Sequence, residues 1–544
     1  MGSSPLLKAR RNYKLVLPKL LEDIKSFTFS EGKATASLGD QDELKKLFPK
    51  LFGRPILKGK KGESRQNKPL KIGVVLSGGQ ASGGHNVIIG IFDAIKAMHA
   101  ESHLIGFLNG PSGIVEGKYK ELQQGELSSF RNTGGFDLIG SGRTKIETEE
   151  QLAKALAVIH SCELDGLVII GGDDSNTNAA VLGEYLLQHQ CKTSVVGVPK
   201  TIDGDLQNDY VEISFGFDTA CKTYAEMIGN LSRDTLSAKK YTHFIKLMGR
   251  SASHIALECA LQTHPNLTFI SEEVAEKKQT LRALVKEVAD LVEARAEVGK
   301  NYGIILLPEG LIEQVPEMHR LITELNTLLA RPEFSSLGPK EALPKMLQTL
   351  QGEQKTTFAS LPESIQRQLL LDRDPHGNVQ VAHIETEKLL IEMVSSELKT
   401  RQFKGKFNPL QHSFGYEGRA GFPSNFDATY CYALGFTAAA LVRDYYSGYM
   451  ACVRGLIAPA QSWDVMGVPL VSLMHLEMRK GKKKPVIEKA LVTTKGAAFQ
   501  LFASRRSQWR IEDDYCFPGP MQFFGDPAVT DTVPLIIRSS GSPM

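Results

Sequence analysis

Between residues 70 and 310, short apolar and β-branched runs end repeatedly in glycine and charge. Lys71-Ile72-Gly73-Val74-Val75-Leu76 meets Ser77-Gly78-Gly79, and a helical pattern then continues to His99. Leu164 to Ile170 meets Gly171-Gly172-Asp173-Asp174, followed by an alanine-rich helical segment over 176–189. Ser194 to Pro199, Tyr241 to Met248 and Tyr302 to Leu307 have the same texture. Buried strands of this kind, alternating with helices, predict an α/β protein with mostly parallel sheets covered on both faces. Ligands bind such sheets beyond the carboxyl ends of the strands. Here those ends carry the glycines and carboxylates.

The flanking segments read differently. Residues 1–68 have modest helical patterning, and Lys58 to Lys68 form a basic stretch with glycine and serine. No aromatics interleave that stretch, so it is expected as a solvated linker rather than a nucleic-acid patch. Residues 311–402 are rich in Leu, Glu and Lys and interrupted by Pro332, Pro339 and Pro344, which predicts a helical insertion.

At 544 residues the chain exceeds a single hydrophobic core, so two or more lobes are expected. Its net charge of 64 − 61 = +3 gives no field that argues for nucleic acid or membrane as partner. No apolar run approaches the roughly 20 residues of a membrane-spanning helix. The start lacks an apolar signal core, and Leu6 stands where myristoylation wants Ser or Thr. Seven cysteines show neither CxxC nor metal-ligand spacing, which suits buried free thiols in a reducing compartment. A cytoplasmic protein is the expectation.

Three clusters carry chemistry. Ser77-Gly78-Gly79-Gln80-Ala81-Ser82-Gly83-Gly84-His85-Asn86 suits a phosphate. Glycine lets backbone N–H groups approach an anion, and the following helix presents its positive end. The run matches neither GxGxxG nor a Walker loop, and a purely structural turn would look the same. In Gly171-Gly172-Asp173-Asp174-Ser175-Asn176-Thr177, carboxylates follow a turn open to polyanions. They repel bare phosphate, so a cation belongs between them, and Mg2+ bound by carboxylates plus substrate phosphates is the usual arrangement. A helix N-cap is the alternative. Pro199-Lys200-Thr201-Ile202-Asp203-Gly204-Asp205 sets two carboxylates behind a lysine and a hydroxyl. One carboxylate can take the proton of an attacking hydroxyl while the lysine neutralises phosphoryl oxygens. A solvated turn with a Lys–Asp pair is the other reading.

In this order the clusters resemble the phosphofructokinase family, in particular its long pyrophosphate-dependent branch. Met248-Gly249-Arg250, Pro308-Glu309-Gly310 and Gly415-Tyr416-Glu417-Gly418-Arg419-Ala420-Gly421 extend the resemblance from about Leu70 to Pro518-Gly519-Pro520. It implies two Rossmann-like lobes with the site in the cleft, a Mg2+ cofactor, and reversible phosphoryl transfer from pyrophosphate to the 1-hydroxyl of fructose 6-phosphate. Asp203 matches the general base, with Lys200, Asp174 and Asp205 completing the catalytic set. Asp173 matches the metal carboxylate, and Gly79 a backbone contact to the donor phosphate. Thr201, Ile202, Met248, Gly249, Arg250, Glu309, Tyr416, Glu417, Gly418 and Arg419 match sugar-phosphate contacts, the arginines binding phosphate bidentately. Without the family, Met248 and Tyr416 would read as core packing.

The donor rests on Asp174 and Lys200, where ATP-dependent members carry glycine. A carboxylate at 174 intrudes on the space and charge balance of an α-phosphate, and Lys200 supplies a cation to a donor with no adenosine handle. Ser82 stands where the family commonly has proline. Tyr416 replaces a histidine of the ATP enzymes. Tyr241 stands where bacterial ATP enzymes place an arginine that reaches the neighbouring subunit's substrate, and Lys240 can supply that charge. Together Lys240 and Tyr241 imply a homodimer or higher homo-oligomer with sites completed across the interface.

The division that follows is a leader (1–68), a donor lobe (69–220, completed by about 420–470), a sugar-phosphate lobe (221–419, with the insertion at about 311–402) and a C-terminal segment (471–544) packing on both. An ATP-dependent member would show glycine at 174 or 200. A non-catalytic regulatory subunit would show a damaged base motif. A lipid or NAD kinase sharing the Gly-Gly-Asp turn would lack Met248-Gly249-Arg250 and Tyr416 to Arg419.

Overall fold

The computed structural model describes residues 4–335, 337–370, 379, 383–479 and 482–521. In chain order the strands are β1 (Phe27–Ala34), β2 (Pro55–Lys61), β3 (Lys71–Leu76), β4 (His103–Phe107), β5 (Tyr119–Glu121), β6 (Gly166–Gly171), β7 (Ser194–Pro199) and β8 (Thr242–Leu247). They continue with β9 (Leu267–Thr268), β10 (Gly303–Pro308), β11 (Pro409–Phe414), β12 (Tyr449–Arg454), β13 (Asp464–Pro469), β14 (Met474–Arg479) and β15 (Lys482–Ile487). One sheet has the order β1-β2-β13-β12-β7-β6-β3-β4-β5, a second β11-β8-β10-β9, and β14-β15 is a hairpin.

The five strands at the centre of the large sheet run parallel, and so does the whole second sheet. The α/β class with mostly parallel sheets, expected from the sequence, is the class observed. Burial on both faces is visible residue by residue. Val74, Leu76, Val168 and Ile170 join one apolar core, while Val75, Leu167 and Ile169 join another on the opposite face. Helices Gly84–Met98 and Asn425–Arg443 pack against each other, while Asp173–Gln188 contacts β6 and β7.

The leader differs from its expectation. Residues 27–34 and 55–61 are strands, and β2 pairs with β13 at Lys58↔Met466 and Leu57↔Gly467. Lys58, Lys60 and Lys61 are exposed while Ile56 and Leu57 are buried. Ile56 and Leu57 point to opposite faces of β2 and enter two different cores, whereas the strand is exposed on both faces from Lys58 to Lys61. The start of the basic run is therefore the exposed end of a strand, and only residues 62–70 form an irregular connection.

The segment expected as a helical insertion carries helices from Leu311–Gln314 through Thr386–Thr400, and their apolar side chains share one core with Phe244 of β8, Ile305 and Leu307 of β10 and helix Leu281–Glu297. Pro332 and Pro339 begin helices instead of breaking them, because a missing N–H costs nothing in the first turn. Pro344 lies inside helix Pro339–Thr349. Beyond β15 the chain crosses to helix Ala497–Ile511, which packs on helices His254–Thr263 and Leu281–Glu297. Residues 522–544 of the expected C-terminal segment lie outside the described residues. All seven cysteines are unpaired, and Cys516 alone is not fully buried. No described helix is long and apolar enough to cross a membrane.

Candidate active site

Strand register assembles the side of the site expected to hold the donor. Gly171 of β6 lies opposite Pro199 of β7, and Leu76 of β3 opposite Ile170 of β6. The three polar turns therefore leave one end of the sheet side by side. The Ser77 N–H donates to the Ile170 carbonyl at 2.8 Å, and the Lys200 N–H to the Gly171 carbonyl at 2.9 Å. Gly78 has φ +86, and a Cβ there would lie 3.3 Å from the Lys200 Nζ. The conformation favours glycine, and a side chain would crowd the Lys200 ammonium.

These turns line a cavity of about 280 Å3 that brings together Gly79, Asp173, Asp174, Lys200, Thr201 and Asp203. Arg143, Thr144, Lys145 and Asn178 complete its wall, and sequence reasoning missed all four. The Lys145 Nζ is 3.1 Å from Asp174 Oδ1. A Cβ on Gly79 would lie 3.4 Å from a guanidinium nitrogen of Arg419 and 3.8 Å from one of Arg143. Arg419 also sits 4.3 Å over the Tyr416 ring. Cations thus surround the glycine turn, and Arg419 stands on the donor side as well as beside the sugar segment. Arg143 and Lys145 lie in an irregular loop with no strand-end glycine to mark them.

Lys200 is 5% exposed, and its Nζ donates to the Gly79 carbonyl at 2.6 Å. Burial pushes its pKa down to about 8 against the pull of Asp203, and Arg143 adds to the depression. Asp203 is half-buried, with its N–H donated to Thr201 Oγ1 at 3.1 Å. Burial raises its pKa to about 7, Asp205 and Glu309 reinforce the rise, and Lys489 and Lys200 oppose it. Such a carboxylate can accept a proton near neutrality. Burial also raises Asp173, opposed by Lys489. Lys489, another residue without a motif, lies 3.5 Å from Asp173 Oδ2 and 3.6 Å from Asp205 Oδ2.

The side expected to hold the sugar is built the same way. β10 and β11 flank β8 so that Pro308, Leu247 and Phe414 are level. The Met248 N–H donates to the Phe414 carbonyl and the Glu309 N–H to the Leu247 carbonyl. Gly249, at φ +132, turns its N–H onto Glu309 Oε2 at 3.0 Å. The Tyr224 hydroxyl donates to the Gly415 carbonyl at 2.5 Å, and the Gly415 N–H donates to Glu417 Oε1. Gly418 packs against the Tyr224 ring. Arg250 lies 3.7 Å from Glu313. Ser82 Oγ donates to the Gly421 carbonyl at 2.8 Å, a tie from the donor turn to this segment that proline could not make.

Of the expected residues, Lys240 and Tyr241 are not gathered here, and Ile202, Tyr416 and Met248 differ in burial. The Ile202 side chain is 6% exposed and belongs to the core. Tyr416 is 66% exposed, so it is no core residue. Met248 is half-buried and packs on the core. Lys240 and Tyr241 stand at the amino end of β8, about 20 Å along the strand from Met248. The Lys240 Nζ lies 4.9 Å over the Tyr241 ring.

Among the described residues no group of three or more His, Cys, Asp or Glu is arranged to hold an ion. Asp173, repelled by Asp174 and Asp205, suits a cation shared with substrate phosphates.

Residues 71–442 match the family model described as Phosphofructokinase, and the chain belongs to that family. Within it, the chain is 49% identical over 556 residues to the Treponema pallidum (strain Nichols) protein named pyrophosphate–fructose 6-phosphate 1-phosphotransferase, covering 99% of this chain and 97% of that one. The Entamoeba histolytica protein of the same name is 50% identical over 535 residues, 98% of each chain. A solved pyrophosphate-dependent phosphofructokinase from Nitrosospira multiformis superposes with a TM-score of 0.55 at 16% identity, over 82% of this chain and 93% of that one, and supports the fold.

Proposed function

We infer that the chain transfers a phosphoryl group reversibly from pyrophosphate to the 1-hydroxyl of fructose 6-phosphate, giving fructose 1,6-bisphosphate and phosphate. The observation that carries this reading is the single cavity shared by Gly79, Asp173, Asp174, Lys200 and Asp203.

In the forward direction Asp203 takes the proton of the 1-hydroxyl. That oxygen bonds to the nearer phosphorus, and the bridging P–O bond breaks to release phosphate. Lys200, Arg143 and Arg419 neutralise charge on the phosphoryl oxygens. Asp205 keeps the field around the base negative, which favours its proton-accepting role. Mg2+, held by Asp173 together with the donor phosphates, would supply further neutralisation of the transferred group. Met248, Gly249, Glu309, Glu417 and Gly418 shape the sugar site, and Thr201 and the Ile202 backbone border it. Arg250 binds the sugar's 6-phosphate bidentately, and Arg419 reaches the transferred phosphoryl group from the sugar segment. Asp174, paired with Lys145, occupies space beside the donor turn and favours the smaller donor.

Residues 69–220 with about 420–470 would form the donor lobe, and 221–419 the sugar lobe. Lys240 and Tyr241, out of reach of their own site, would complete the site of a second copy, making the active unit at least a dimer. A reducing cytoplasm suits seven unpaired cysteines.

The test is a coupled assay with fructose 6-phosphate and Mg2+, comparing pyrophosphate with ATP. Turnover with pyrophosphate alone is expected. Turnover with ATP would overturn the donor assignment, and silence with both would favour a non-catalytic subunit.

A further inference from the structure

Residues 488–493, which belong to no motif, cross between the two halves of the site. The Ala490 N–H donates to the Asp205 carbonyl at 2.7 Å, and its own carbonyl is 3.0 Å from His254 Nε2. The Val492 N–H donates to Glu272 Oε1 at 3.0 Å, and that oxygen also accepts the Ser253 N–H at 3.0 Å. The strap is thus bonded to the base loop on one side and to the sugar loop on the other.

Lys489 stands at its centre. An ammonium carries three N–H donors. Here it lies 3.5 Å from Asp173 Oδ2, 3.6 Å from Asp205 Oδ2 and 3.0 Å from Ser251 Oγ, to which it donates. These partners come from the Gly-Gly-Asp turn, the base loop and the sugar loop. Among the described residues it is the only cation within 4.0 Å of either carboxylate. Its side chain keeps 38% of its exposure while that of Asp205 keeps 5%. Lys489 therefore approaches from the solvent side two carboxylates that repel each other.

We propose that Lys489 is a positioning residue for phosphoryl transfer. It fixes Asp173 and Asp205 relative to the sugar loop, so that Asp203 meets the 1-hydroxyl in line with the donor. Misplacement of a reacting group by 1 Å costs on the order of 10²-fold in rate. The inference rests on Asp203 as base and Asp173 as metal carboxylate.

The test uses the full chain with Lys489→Met and Lys489→Arg. Lys489→Met should lower kcat by about 10- to 100-fold while KM for fructose 6-phosphate stays within about threefold. Lys489→Arg should restore most of the turnover. Amide exchange at Asp203 to Asp205, followed without substrate or metal, should quicken in Lys489→Met. The double variant with Asp205→Asn should lose no more than the worse single variant. A kcat within twofold of the parent, additive losses, or unchanged exchange at the base loop would each overturn the proposal. Should Lys489→Met not fold, Ser251→Ala removes one tether. A lowered kcat at unchanged KM there supports the proposal, and unchanged kinetics reject it. Asp203→Ser is run alongside. Full turnover in that variant rejects the base reading itself, whereas a silent Lys489→Met with an impaired Asp203→Ser rejects only the positioning role.

Discussion

Lys145 and Asp174 meet at 3.1 Å across the wall of the donor cavity, and Lys200 faces the same space with its Nζ on the Gly79 carbonyl. Charge and bulk are thereby concentrated where a longer donor would have to extend. Replacing both Asp174 and Lys200 by glycine should open that space and remove a cation from the donor. The pyrophosphate kcat/KM should fall by about 10²-fold, the worth of one or two charge-assisted contacts. ATP should become a measurable donor. Steady-state assays with both donors check this, and a retained preference for pyrophosphate would refute the steric argument.

Asp203→Ser isolates the general-base role proposed for Asp203. Turnover should drop by about 10²–10⁴-fold, the usual worth of such a group. Fructose 6-phosphate affinity, measured by calorimetry, should be nearly unchanged, because Gly249, Glu309 and Arg419 are untouched. Wild-type turnover in this variant would remove Asp203 from the mechanism.

The same residues set the pH profile. Asp203 must be ionised to accept a proton, and its pKa is raised to about 7, so activity is gained as pH rises through that value. Lys200 must be protonated to neutralise phosphate, and its pKa is lowered to about 8, so activity is lost as pH rises through that value. The kcat/KM of the wild-type chain should trace a narrow bell between the two. Lys200→Arg keeps its charge to far higher pH and should lift the alkaline limb while leaving the acid limb in place. A flat profile from about pH 6 to 9 would separate both groups from the rate-limiting step.

Parallel strands buried on both faces announced themselves as continuous apolar runs, so β3, β6, β7, β8 and β10 were legible with their polar turns. Those turns supplied Gly79, Asp173, Asp174, Lys200, Asp203 and Glu309. β2 was not legible, because only Ile56 and Leu57 are buried and the exposed Lys58, Lys60 and Lys61 that follow leave neither a continuous apolar run nor an alternation. Arg143, Lys145 and Lys489 escaped for another reason. They reach the site from irregular segments that tertiary packing folds back over the sheet, and no local pattern records such a return. Ser82 read as a departure from the family, and only its bond to Gly421 shows what the hydroxyl does.

Lys240 and Tyr241 offer a test of assembly that does not depend on the sheet. They stand at the amino end of β8, while Met248 and Gly249 stand beyond its carboxyl end. A variant with both changed to alanine should lose activity through its partner's site, and Asp203→Ser loses it through its own. Mixed at equal amounts after reversible dissociation, the two inactive proteins form hybrids. For random pairing into dimers, half the molecules are hybrids, and in each hybrid one of the two sites draws every residue from an undamaged set. Activity should therefore return to about a quarter of the wild-type level. Recovery that depends on mixing would establish a shared site. Its absence, with hybrids shown to form by native mass spectrometry, would return Lys240 and Tyr241 to the role of a cation–π pair within a single subunit.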